Sequence, residues 1–186
     1  IIAGANGVGK TTFARSYSDR YPLEFVNADE AARELNPGDM NSVKLKAGRF
    51  FFKKVGELLK TDDNFIIEST LAGKYLLKLI QAARDKNFFV QIIYIFLENP
   101  DTCIERIKER VLKGGHNVPD KDVIRRYHRS KKNFWTLYKN LADKWFIMYN
   151  SEFHFTEVAI GSKNEYIIRH QRLFDDFTRD IKKVTL

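Results

Sequence analysis

Ile1-Ile2-Ala3-Gly4-Ala5-Asn6-Gly7-Val8-Gly9-Lys10-Thr11-Thr12-Phe13-Ala14 opens the chain, and its middle fits G-x-x-x-x-G-K-[ST] at every fixed position. Glycines let a backbone fold tightly around an anion, so that the N–H groups of Gly4, Ala5, Asn6, Gly7, Val8 and Gly9 point at it. The apolar residues Ile1–Ala3 read as the stub of a first strand, and Lys10–Arg20 reads as a helix. The positive dipole end of that helix falls on the same site. Strand, glycine turn and helix are the context that a phosphate cradle requires; a glycine-rich structural turn is the alternative.

In such a cradle Lys10 reaches the β- and γ-phosphates of a nucleotide, and the Thr11 hydroxyl ligates Mg²⁺. ATP and Mg²⁺ are therefore the expected cofactors. Gly4 through Thr12 are the expected nucleotide contacts.

Beyond the cradle, apolar runs alternate with helical patterns. Strands are expected at Glu24–Asn27, Phe65–Glu68, Phe88–Leu97, Trp145–Tyr149 and Phe153–Ile160. Helices are expected at Val43–Lys60, Lys74–Lys86, Pro100–Lys113, Lys121 to about Leu141, and Glu165 to Lys182, with Glu30–Arg33 helical as well. Phe50, Phe51, Val55, Leu58 and Leu59 make the apolar side of the Val43–Lys60 helix. Turns are expected at Asn36–Ser42 and Gly114–Asp120. Near-continuous apolar strands separated by helices imply an α/β fold. It is a three-layer α/β/α sandwich with a mostly parallel central sheet. One domain over 1–186 is expected, with a small helical lid at about 106–132.

In such a sheet, ligands sit outside the carboxyl ends of the strands. Two carboxylates fall there. Asp29 follows the Glu24–Asn27 strand, and Glu68 ends the Phe65–Glu68 strand. A carboxylate at a strand tip can take the proton of an acceptor hydroxyl, so Asp29 is the candidate general base and acceptor contact. A helix N-cap is its bland alternative. Glu68 is a candidate acceptor contact, with an ion pair to a lid arginine or plain solvation as alternatives. Glu30 and Glu34 read as solvated helix charges.

Arg106 and Arg110 stand four apart on one helical face, ahead of Gly114-Gly115. The next helix carries Arg125, Arg126, Arg129, Lys131 and Lys132. Arg125, Arg129 and Lys132 fall within about 60° of one another, with Arg126 beside them. Two arginine-lined helices joined by a glycine loop look like a lid whose charge stabilises a transferring phosphate. Two or more of these arginines, with Arg110 and Arg126 among the candidates, are expected to act catalytically on phosphate. Arg129 is a candidate nucleotide contact and Arg125 a candidate acceptor contact. A solvated basic face is the alternative, sufficient for Lys131 and Lys132. Ile124, Tyr127, Phe134, Trp135 and Tyr138 mark the apolar side of that helix. His116 has no metal-ligand partners at useful spacing and reads as a loop or capping residue.

The 186 residues, 44% apolar and 30% charged, suit one globular domain rather than a disordered chain. No apolar run is long enough to cross a membrane. The sequence opens at Ile1 without a Met, so native residues are expected ahead of it. Cys103 is the single cysteine, compatible with a reducing cytoplasm, and reads as a small buried residue. The net charge of +8 fits nucleic acid, a multi-phosphate pocket or a solvated surface alike.

Taken with their order in the chain, these stretches resemble the zeta toxin family of P-loop kinases, in its compact branch with a G-G-H-x-V-P lid. The matching segments are IIAGANGVGKTTFA (1–14), EFVNADEAARELNP (24–37), FIIESTLAGKYLLKLI (65–80) and ERVLKGGHNVPDKDVIRRYHRSKKNF (109–134). The resemblance implies a P-loop kinase-like fold. It implies a kinase that moves the γ-phosphate of ATP onto a hydroxyl of a small molecule, such as the sugar of UDP-N-acetylglucosamine. By the same resemblance Asp29 is the base, Glu68 and Thr70 are substrate-pocket residues, and Arg110 and Arg126 bind phosphate. A separate antitoxin is the implied partner.

Two rivals stay open at this level. A polynucleotide or nucleoside kinase would use the charge, and Phe134, Trp135 and Tyr138 could stack bases, although their helical spacing reads as core. A nucleotide-dependent binding protein would use the cradle as a switch and phosphorylate nothing. No site residue is expected after Asn133.

Overall fold

The computed structural model describes residues 1–18, 21, 23–40, 42–151 and 154–182. The fold is α/β, with a mostly parallel sheet flanked by helices. The chain falls into two compact units, Thr11–Ser69 and the remainder made of Ile1–Lys10 with Thr70–Leu186.

In the larger unit, β1 (Ile2–Ala3) pairs parallel with β4 (Gln91–Phe96), which pairs parallel with β5 (Lys144–Asn150). The antiparallel strands β6 (Phe155–Ser162) and β7 (Glu165–Ile168) continue from β5. Every residue of β4 but Gln91 is buried, as its near-unbroken apolar run requires. Helices α4 (Leu76–Asp85), α5 (Pro100–Leu112), α6 (Asp120–Thr136) and α7 (Gln171–Lys182) complete this unit. The Tyr94 ring of β4 stacks on Phe134 of α6 at 4.5 Å between centroids, and Phe177 of α7 meets Tyr94, Phe96 and Phe134. One aromatic cluster thus joins both helices to the strand.

In the smaller unit, β2 (Glu24–Asn27) and β3 (Phe65–Ser69) pair parallel, with Asn27 opposite Glu68. Helix α1 (Lys10–Ser18) enters this unit, and α2 (Ala28–Leu35) packs on α3 (Lys44–Leu58) through Ala31, Ala32 and Ala47.

Several expectations need correction. Glu165–Ile168 is a strand and not the start of the last helix. Its Glu-Tyr-Ile-Ile run suits a strand, and Lys163 at φ 53° makes the turn that sends it back along β6. Phe50 is 52% exposed, because the buried stripe of α3 runs Ala47, Phe51, Val55 at four-residue steps and leaves position 50 off it. Phe89 is exposed ahead of β4, and Ile124 lies on the outer side of α6. Lys131 is 1% exposed and not solvated: its Nζ bonds to the Tyr127 hydroxyl at 3.0 Å among the Phe96, Tyr127 and Phe177 rings. A long apolar stem and a cation over ring faces let this lysine fill a core position. Arg20, Asn41 and Phe153, which bound or fall within an expected helix, turn and strand, lie outside the described residues.

Candidate functional site

The glycine turn of residues 4–9 links β1 to α1. Gly4, Gly7 and Gly9 adopt φ of 139°, 85° and 90°, all in the region that side chains avoid. Space forbids a side chain as well. A Cβ on Gly4 would lie 2.2 Å from the Ile95 carbonyl oxygen, and one on Gly7 would lie 2.5 Å from the Cys103 carbonyl oxygen. Gly4→Ala is therefore expected to cost about 3 kcal/mol of stability, roughly 6–12 °C in a chain of this size. A thermal melt within about 2 °C of wild type would contradict the packing described for this turn.

Lys10 lies folded into the loop, 7% exposed, its Nζ donating to the Ala5 carbonyl at 2.9 Å. Behind the loop, Cys103 of α5 is fully buried, and burial pushes its thiol up to about 12, against the pull of Lys10 and Arg106. It is a packing residue and not a reactive thiol.

Arg126 of the arginine hairpin reaches the glycine turn. Arg126 Nη1 donates to Asn6 Oδ1 at 2.9 Å, and Asn6 itself is 4% exposed. Arg110 and Arg125 have other partners. Arg110 Nη2 donates to the His116 carbonyl at 2.9 Å, and the Gly115 N–H returns to the Arg110 carbonyl at 2.9 Å, so the Gly-Gly-His loop wraps Arg110. Arg125 pairs with Asp122 on its own helix at 2.8 Å. Arg129 is exposed, and Arg106 is half-buried.

Helix α6 is fixed on its inner side by a row of polar contacts. Tyr127 donates to the Leu97 carbonyl at 2.8 Å, Asn133 to the Leu71 carbonyl at 2.9 Å and Tyr138, just beyond the helix, to the Gly73 carbonyl at 2.7 Å. Ser130 accepts from the Tyr94 hydroxyl at 2.8 Å and donates to the Thr70 carbonyl. Thr70 is thus held by its main chain. Phe134 and Tyr138 are fully buried, and Trp135 is half-buried against Trp145, Phe174 and Phe177. These rings belong to the core and offer no platform for bases.

In the smaller unit, three of the expected site residues join one hydrogen-bonded chain. Thr11 Oγ1 donates to Glu68 Oε2 at 2.8 Å, and Asn27 Nδ2 donates to the same oxygen at 3.0 Å. Asn27 Oδ1 accepts the Asp29 N–H at 2.8 Å, which makes Asn27 the N-cap of α2. Asp29 is therefore not the cap but stands in the first turn, exposed, with its carboxylate not used for capping. Glu68 is 9% exposed and turned toward the Thr11 hydroxyl. Thr12 points outward. Among the described residues no group of three His, Cys, Asp or Glu could hold a metal by itself. The Thr11 hydroxyl and the buried Glu68 carboxylate behind it are a pair of hard oxygen groups.

Sequence reasoning missed Asn27, the acceptor role of Asn6, and Asn150. The Asn150 amide donates to the Val8 carbonyl at 2.8 Å. Asparagine is unfavourable in strands, and its place at the end of β5 was the available signal.

A family model described as AAA domain matches residues 1–133. The chain is 31% identical over 127 residues to a protein of Haemophilus influenzae, covering 68% of this chain and 90% of that one. The crystal structure of AvrRxo1-ORF1:AvrRxo1-ORF2 with sulphate ions is similar at TM-score 0.74 and 14% identity over 95% of this chain. The same complex with ATP matches equally, and this chain covers 62% of the length of the matched chain in each. The PezAT chromosomal toxin–antitoxin system of Streptococcus pneumoniae is similar at TM-score 0.59 and 17% identity, over 99% of this chain and 86% of that one. At these identities the structural likeness is one of fold. No helix among the described residues is long and apolar enough to cross a membrane.

Proposed function

The chain belongs to the AAA domain family, and from that premise we propose that this P-loop kinase-like domain is an ATP-dependent phosphotransferase. It moves the γ-phosphate of ATP onto a hydroxyl of a small molecule. The observation that carries this is the 2.9 Å bond from Arg126 to Asn6, which brings a guanidinium of the hairpin onto the glycine turn. A switch needs the cradle alone; a cradle met by an arginine suits a phosphate whose charge shifts during transfer.

Main-chain N–H groups of residues 4–9 and the Lys10 ammonium bind and orient the phosphate chain. Arg126 exchanges Asn6 for phosphate oxygens and stabilises their charge. Thr11 would hold Mg²⁺, which supplies charge neutralisation on the phosphates when bound. Glu68 accepts from the Thr11 hydroxyl and so fixes the direction of its lone pairs. Asp29 takes the proton of the acceptor hydroxyl. The zeta-toxin-like motifs support a UDP-N-acetylglucosamine-like sugar nucleotide as acceptor, with Thr70 and Arg125 on that side and Arg110 and Arg129 toward phosphate. The PezAT likeness supports a separate antitoxin-like protein partner. A cytoplasmic location accords with ATP chemistry.

Incubation with γ-labelled ATP and a metabolite extract tests the assignment. Label is expected on a small molecule, and Arg126→Ala is expected to slow its appearance about 10²-fold. Arg126→Lys restores little, because an ammonium lacks the planar fork. Label found only on nucleic acid ends, or only as free phosphate, would overturn the reading.

A further inference from the structure

The peptide group between Val8 and Gly9 has two possible settings, and the glycine makes both accessible. Rotating this peptide changes ψ of Val8 and φ of Gly9, and glycine accepts either sign of φ. A trans peptide points its C=O and its N–H in opposite directions. Whatever holds the Val8 carbonyl therefore also aims the Gly9 N–H, one of the donors of the cradle.

The Val8 carbonyl is held by Asn150. Its Nδ2 donates to that oxygen at 2.8 Å, from a side chain that is itself 9% exposed. Asn150 stands at the end of β5, in register with Phe155 of β6, so its backbone is fixed by the sheet. The fit is close: a Cβ on Gly9 would lie 2.4 Å from Asn150 Nδ2 and 3.7 Å from Phe155 Cζ. Val8 is 1% exposed, and its methyl would meet a Cβ on Gly4 at 2.9 Å. Gly4, Val8, Gly9 and Asn150 thus interlock, and the amide occupies the volume that a side chain at position 9 would need.

We propose that Asn150 is a positioning residue that sets the Val8–Gly9 peptide with its N–H facing away from β5, and so completes the phosphate cradle before a nucleotide arrives. The assignment rests on the reading of residues 4–11 as a phosphate site. An aspartate of the same shape reverses the preference. Its carboxylate is acceptor-only, so it repels the Val8 carbonyl and attracts the Gly9 N–H, favouring the rotated peptide.

Titration calorimetry of wild type and Asn150→Asp with Mg·ATP, and with inorganic pyrophosphate, tests this. Thermal melts without ligand check the fold. Both ligands are expected to bind Asn150→Asp at least tenfold more weakly, with the Gly9 amide resonance shifted in the unliganded protein. A general loss of stability would not move that single resonance selectively. Asn150→Ser, which keeps a shorter donor, is expected to lie between the two, and it carries the same comparison if the aspartate variant does not fold. Equal affinities in wild type and a folded variant overturn the role of Asn150 alone. A wild type that binds neither ligand overturns the cradle, and the assignment of Asn150 with it.

Discussion

Lys10→Ala is expected to abolish both nucleotide binding and phosphate transfer, with kcat/KM lowered by about 10³-fold. The ammonium lies inside the turn, 7% exposed and bonded to the Ala5 carbonyl at 2.9 Å. A phosphate entering the cradle takes over that ammonium, and a charge so sheltered from water interacts strongly with an anion. Alanine leaves the main-chain donors in place but removes the one cation built into the motif, so the loss falls on ground state and transition state together. Lys10→Arg is expected to fail nearly as badly. The guanidinium is longer and planar, and the space around position 10 is closed by the loop itself. Calorimetric titration with Mg·ATP reads the first loss and the labelled-phosphate assay the second. An Lys10→Ala variant that binds ATP as wild type does would remove the phosphate cradle from the account.

What the sequence made legible was the part where local chemistry allows few solutions. Gly4 and Gly9 at fixed offsets, with Lys10 and Thr11 after them, form a recognisable motif, and the positive φ values at Gly4, Gly7 and Gly9 bear out the demand that glycines there place on the backbone. The buried strand at Gln91–Phe96 and the strand at Glu24–Asn27 followed from apolar runs bounded by helical patterns. Less legible was anything decided by partners far along the chain. Lys131 reads as a surface residue until Phe96 and Phe177 are seen to enclose it, and those lie 35 and 46 positions away. Asn150 contacts a residue 142 positions distant. A side-chain amide of this kind leaves no periodic trace. The strand Glu165–Ile168 was misread for a different reason: four residues before a strongly amphipathic helix extend its pattern by chance, and only Arg169 and His170 separate them.

The same contrast between local and distant partners bears on Asp29, the proposed base. Its position is set by Asn27, whose amide works at both ends: Oδ1 caps the Asp29 N–H at 2.8 Å while Nδ2 holds Glu68 at 3.0 Å. Because Asn27 does the capping, the Asp29 carboxylate is not needed for it and stands in the first turn of α2. Asp29→Asn is therefore expected to leave ATP affinity within severalfold and to lower phosphate transfer by about 10³-fold, in the range attributed to a positioned base. The fold should lose little. An uncharged side chain in the first turn forfeits only the charge–dipole attraction, about 0.3–1 kcal/mol. Asn27→Ala supplies the contrast: it removes the cap and one support of Glu68, so it should cost about 1 kcal/mol of stability while slowing transfer less than the change at Asp29. Labelled-phosphate transfer and thermal melts on both variants separate the two roles. If Asp29→Asn transfers phosphate at the wild-type rate, the proton leaves the acceptor by another route, and the base must be sought elsewhere.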